Sequence, residues 1–159
     1  MIPNFRSRCS LAKSTSEDHL KQWAHNRKFL SGIKDEFPDW MATATFYTAL
    51  QLIDAIASAK GVTFDKHSER NKWVEREGSL PPEVWANYSA LYQLSRTVRY
   101  ITAGFAKNGK PTQTPTAKEV KDDSVTKRLS ELERYALGCL EAMGKCPKGT
   151  LAGLSKVFP

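Results

Sequence analysis

The segment from Pro38 to Gly61 constrains this chain more than any other part of it. Proline is tolerated in a first helical turn, where its missing N–H would have no partner, and glycine ends helices readily. Pro38 and Gly61 therefore bracket one long helix. Inside it Phe46, Leu50, Ile53 and Ala57 form one apolar stripe. Ala42, Ala44, Ala49, Ala55, Ala57 and Ala59 are small enough to let a neighbouring helix approach closely. Tyr47 and Asp54, seven residues apart, run along the edge of the stripe.

Helical neighbours can be read on both sides. Ser14 followed by Glu17 has capping-box spacing, and Leu20, Trp23, Arg27, Leu30 and Ile33 then recur near helical spacing, with an end near Gly32. Thr63 to Val74 reads as a loop and a shorter helix with His67 and Arg70 on its polar face. Pro81 and Pro82 open a third long helix. Its packed face is Val84, Tyr88, Leu91, Ser95 and Val98, and its expected end is Gly104 or Gly109. Residues 107–115 read as a surface connection. Thr116 and Glu119 repeat the capping-box spacing, and Val120, Leu129, Leu132, Ala136, Leu137 and Leu140 supply the apolar set of a last helix running to about Met143. No stretch alternates as a strand does. The expected fold is all-α: an antiparallel four-helix bundle with a short extra helix over 14–143, between a basic N-terminal arm (1–13) and a C-terminal tail (144–159).

Composition narrows the class. With 159 residues, 40% hydrophobic and 26% charged, the chain suits one globular domain and not a mainly disordered one. No stretch approaches the ~18 apolar residues of a membrane span, and Met1 to Lys13 lacks the apolar segment of a secretory signal. The three cysteines, Cys9, Cys139 and Cys146, form no CxxC pair, so neither a disulfide framework nor a zinc site is expected, and a reduced, cytoplasmic setting fits. No cofactor is expected. The net charge of +7 permits nucleic-acid or acidic partners, or serves solubility alone.

Chemistry concentrates beside the apolar stripes. An ionised Asp54 on a packed helix needs a cation or several donors. His67 and Arg70, three apart, project from one side of the short helix, and Arg99 and Tyr100 end the third long one. A polar cluster of Asp54, His67, Arg70 and Arg99 is expected, with Tyr47 or Tyr100 adding a hydroxyl. Such a cluster either holds helix register as an ion pair or acts on a phosphodiester. In the second case histidine moves a proton and arginine stabilises phosphate charge, with the RNA 2′-hydroxyl as nucleophile and no metal. Arg96, with Arg99, Tyr100 and Tyr47, is the candidate phosphate-binding set; cations in a last helical turn also complement the dipole.

The segments DWMATATFYTALQLIDAIASAKG, HSERNKWV and YSALYQLSRTVRY resemble the HEPN superfamily of small helical bundles. They are most similar to a prokaryotic branch with the pattern F-Y-x-A-L-x-x-x-D-A, H-x-x-R-N and Y-x-x-L-Y-x-L-S-x-x-x-R-Y. The likeness runs from about His19 to Tyr100, and HLKQWAHNRKFL fits it through His19, Asn26 and Leu30. The resemblance implies an antiparallel bundle, often a homodimer. It also implies RNA-linked roles as ribonuclease toxin, defence effector, or partner of an antitoxin-like or nucleotidyltransferase-like protein. Asp54 matches the family's acidic position on the second helix. HEPN ribonucleases place an Arg before a His with four to six residues between. Here no Arg stands so before His19, His25 or His67, and the order is His67-x-x-Arg70. A non-catalytic RNA- or protein-binding bundle is therefore the first expectation, and a metal-independent endoribonuclease using Asp54, His67, Arg70 and Arg99 the alternative.

Trp23, Trp40, Trp73 and Trp85 are expected to fill core or interface, with Trp85 the most exposed. His19 and Asn26 share a face, read as exposed. Cys139 reads as a small core residue.

Overall fold

The structure is a computed structural model that describes residues 13–78, 80–100 and 115–150. Residues 1–12 of the basic arm, most of the 107–115 connection and residues 151–159 of the tail lie outside the described residues. Every regular element among the described residues is helical.

Helix α1 (Ser16–Ser31) starts one residue later than the sequence spacing indicates. Thr15, not Ser14, is the N-cap, and Asp18, not Glu17, closes the capping box. Thr and Asp fit this role because their short side-chain oxygens reach the first-turn amides. Helix α2 (Pro38–Ala59) opens on Pro38 as expected. It ends in a Schellman arrangement: Val62 N–H donates to Ala57 O at 2.8 Å and Gly61 N–H to Ser58 O at 3.0 Å. Gly61 has φ +78°, the left-handed conformation glycine adopts without strain.

Helix α3 (His67–Lys72) runs on into a π-helical segment, Trp73–Glu77, closed by Gly78 N–H on Trp73 O. Helix α4 (Pro82–Arg99) stops at Tyr100, earlier than Gly104 or Gly109. Tyr100 turns extended (φ −119°, ψ 107°), so the chain leaves the helix without needing a glycine. The predicted box at Thr116 and Glu119 caps α5 (Ala117–Glu119). A second π-helical segment, Val120–Leu129, follows and continues into α6 (Ser130–Ala142).

α2 is the central element and packs against α1, α4, α6 and the second π-helical segment. Its Phe46, Ala49, Leu52, Ala55, Ile56 and Ala57 are fully enclosed, joined by Tyr88, Leu129, Leu137 and Leu140. The alanines allow this crowding, since side chains that stop at Cβ let helix axes approach. One buried polar knot ties α1 to α6: Glu133 Oε1 accepts from Trp23 Nε1 at 3.1 Å and meets Arg27 Nε at 3.2 Å. Burial holds the Glu133 carboxyl above its usual range, against the lowering pull of Arg27. Cys139 is half-exposed beside the core, not in it, whereas Cys146 is buried. No described helix is long and apolar enough to cross a membrane.

Candidate functional site

Asp54 sits on the face of α2 turned toward α3. Arg70, one turn into α3, closes on it with both branches of its guanidinium: Nε donates to Oδ1 at 2.6 Å and Nη2 to Oδ2 at 2.9 Å. Both side chains are about nine-tenths buried. The planar fork suits a carboxylate, and this two-bond geometry satisfies both charges away from water. Burial works against the Arg70 charge, but the hydrogen bonds and charge of Asp54 outweigh it and raise its pKa. The Tyr88 hydroxyl lies in the field of the pair without a well-formed hydrogen bond, and burial pushes its pKa far up.

The remaining branch of Arg70, Nη1, lies 3.2 Å from His67 Nδ1. Arginine has no acceptor, so Nδ1 must accept, and the ring proton resides on Nε2. The imidazole packs against Phe46 and Tyr92, with ring centroids 5.9 and 5.8 Å away. Burial, then the charges of Arg70 and Arg99, lower its pKa, with Asp54 opposing. His67 is therefore a neutral ring offering an N–H, and its basic nitrogen is already engaged. On the other side of Asp54 a cavity of about 400 Å³ is bordered by Lys13, His19, Thr63, Phe64 and Asp65.

Arg99 does not join the Asp54–Arg70–His67 triad by a hydrogen bond. It curls back along α4, with Nε on Ser95 O at 2.9 Å and Nη1 on the Tyr47 hydroxyl at 3.1 Å. Its guanidinium lies 5.5 Å from the centre of the Tyr47 ring and 5.3 Å from that of Tyr100. Arg96 sits over Tyr92 at 5.8 Å. Tyr100 is 51% exposed. All 17 acidic residues of the chain fall among the described residues, and none forms an ion pair with Arg96 or Arg99. The last turn of α4 thus carries two arginines set against Tyr47, Tyr92 and Tyr100, a ledge whose cations pair with no carboxylate among the described residues.

His19 is half-buried and bonded through Nδ1 to Gln51 at 2.8 Å, and Asn26 donates to Tyr47 O at 3.3 Å, so neither stands free on a surface. Trp23 and Trp73 are core residues, and Trp85 is only half-buried. The exposed tryptophan is Trp40, at 59%. It was missed because helical phase alone does not tell which face of α2's first turn is left uncovered. The seven-residue spacing Trp40–Tyr47–Asp54 was the available signal. No group of three or more His, Cys, Asp and Glu among the described residues is placed to hold a metal ion.

No family model, curated protein or solved structure matches this chain.

Proposed function

We propose that this chain is a HEPN-like antiparallel four-helix bundle serving RNA-linked stress or defence by binding, without cutting. RNA is its primary partner; a partner protein of the antitoxin-like or nucleotidyltransferase-like kind is the second candidate. A cytoplasmic homodimer belongs to the same reading. The observation that carries it is the closure of the triad. Arg70 spends both branches of its fork on Asp54 and its remaining NH2 group on His67 Nδ1. An endoribonuclease needs an imidazole nitrogen free to take the 2′-hydroxyl proton and a guanidinium free for the phosphate. Both groups are engaged inside the protein. What remains exposed to a phosphodiester is the end of α4, where Arg96 and Tyr100 face solvent beside the half-buried Arg99 and Tyr47, and no carboxylate among the described residues pairs with either arginine.

The test is incubation with single-stranded RNA in EDTA, scored for cleavage and for binding. Wild type is expected to leave the RNA intact and to bind it less tightly as salt rises. Cleavage that disappears in both His67→Ala and Arg70→Ala would overturn the proposal in favour of a metal-independent endoribonuclease using Asp54, His67, Arg70 and Arg99. Absence of salt-sensitive binding would remove RNA as the partner.

A further inference from the structure

The corner where α1 meets α2 carries a groove of about 970 Å³ lined by His25, Lys28, Phe29, Ile33, Phe37 and Trp40 among others. Phe29, Phe37 and Trp40 are 56%, 48% and 59% exposed. Three large aromatic side chains left to water at one corner need a reason, because burying them would be favourable. Lys28 and Lys34 line the same groove and pair with no carboxylate among the described residues, while Glu36 is its one acidic lining residue.

The groove is continuous in register with the ledge. Trp40, Tyr47 and Asp54 are spaced by seven, so they follow one another along one side of α2, each step about 10 Å. From the corner inward the order is exposed aromatics with two lysines, then Tyr47 under Arg99 with Tyr100 and Arg96 beside it, then Asp54. The carboxylate at the inner end is neutralised by Arg70, so it does not repel an anion.

Resting on the RNA-binding reading above, we propose that this side of α2 is a track for single-stranded RNA. Bases stack on Trp40, Phe37 and Phe29, and the sugar–phosphate backbone runs over Lys28 and Lys34 to Arg99 and Arg96. Flat rings interspersed with cations suit a single strand, whose bases are free to stack, and they read little sequence. A duplex keeps its bases stacked on one another and gains only the charge contacts.

The probe is a fluorescein-labelled oligouridine, followed by anisotropy and by quenching of Trp40 emission, against a duplex RNA of equal length. The single strand is expected to bind more tightly than the duplex. Trp40→Ala should lower its affinity about tenfold, and Trp40→Phe should restore most of the loss, as stacking requires. Lys28→Gln with Lys34→Gln should flatten the log–log salt slope by about 1.4 if both lysines meet phosphates. Unchanged binding in Trp40→Ala with weakened binding in Arg96→Gln would overturn the track while leaving the ledge as the RNA site. Equal affinity for single strand and duplex would also overturn it. No oligouridine binding at low salt would overturn the track and the RNA reading together. An acidic polyglutamate that displaces oligouridine from wild type but not from Trp40→Ala would overturn RNA as the occupant in favour of an acidic protein segment.

Discussion

His67 is the residue whose protonation the surroundings decide. Its pKa is lowered by burial and by the arginines, so the folded protein holds the proton less tightly than the unfolded chain does. By linkage, the neutral imidazole contributes stability above its ordinary value near 6.5, and that contribution is lost as pH falls through the lowered folded value. His67→Gln has no such titration. The stability advantage of wild type over His67→Gln is therefore expected to shrink between pH 7 and pH 5 in paired thermal melts; an advantage that grows on acidification would refute the neutral assignment. The acid–guanidinium–imidazole proximity could be read in the sequence because Asp54, His67 and Arg70 carry it in residue type and spacing. Which nitrogen accepts could not, because that depends on the direction of the third Arg70 branch. Arg99 also escaped, since Ser95 and Tyr47 compete for it with groups that no spacing rule identifies.

Helix boundaries followed the local chemistry where one residue dominates it. Pro38, Pro82 and the Thr116–Glu119 box stand where the sequence puts them. The π-helical segment Val120–Leu129 did not, although it left a trace. Val120 and Leu129 are both fully buried yet nine residues apart. At 3.6 residues per turn they would face opposite ways, whereas the wider π turn brings them round together after roughly two turns. Arg128 Nε reaches Asp123 at 2.7 Å and Ser130 Oγ reaches Val125 O at 3.2 Å, both five residues back, as that wider turn requires. Between elements, the Glu133 knot makes a sharper demand. Glu133→Leu removes the carboxylate that faces the buried Arg27 cation and is expected to cost about 3 kcal/mol. Arg27→Met together with Glu133→Leu should recover most of it in denaturant unfolding. If the double variant is as unstable as the single, the pair is not the energetic unit described.

On the scale of the whole molecule, charge and packing are distributed unevenly. Arg6, Arg8, Lys107, Lys110 and Lys156 lie outside the described residues and account for five of the +7 charges. The described body is close to balanced, so its exposed Arg96, Lys28 and Lys34, with the half-buried Arg99, stand out as local sites and not as part of a uniformly basic surface. The first two helices are also laced together along their length. Ser16 Oγ donates to Ala55 O at 3.0 Å and Ser58 Oγ to Ser14 O at 3.1 Å, while His19 meets Gln51 and Asn26 meets the Tyr47 carbonyl farther along. Neither helix can peel away without breaking bonds spread from Tyr47 to Ser58 on α2 and from Ser14 to Asn26 on the α1 side. Amide exchange in deuterated solvent should accordingly register α1 and α2 as one cooperative opening unit with a shared denaturant dependence. Separate exchange behaviour for the two would show that the lacing does not couple them.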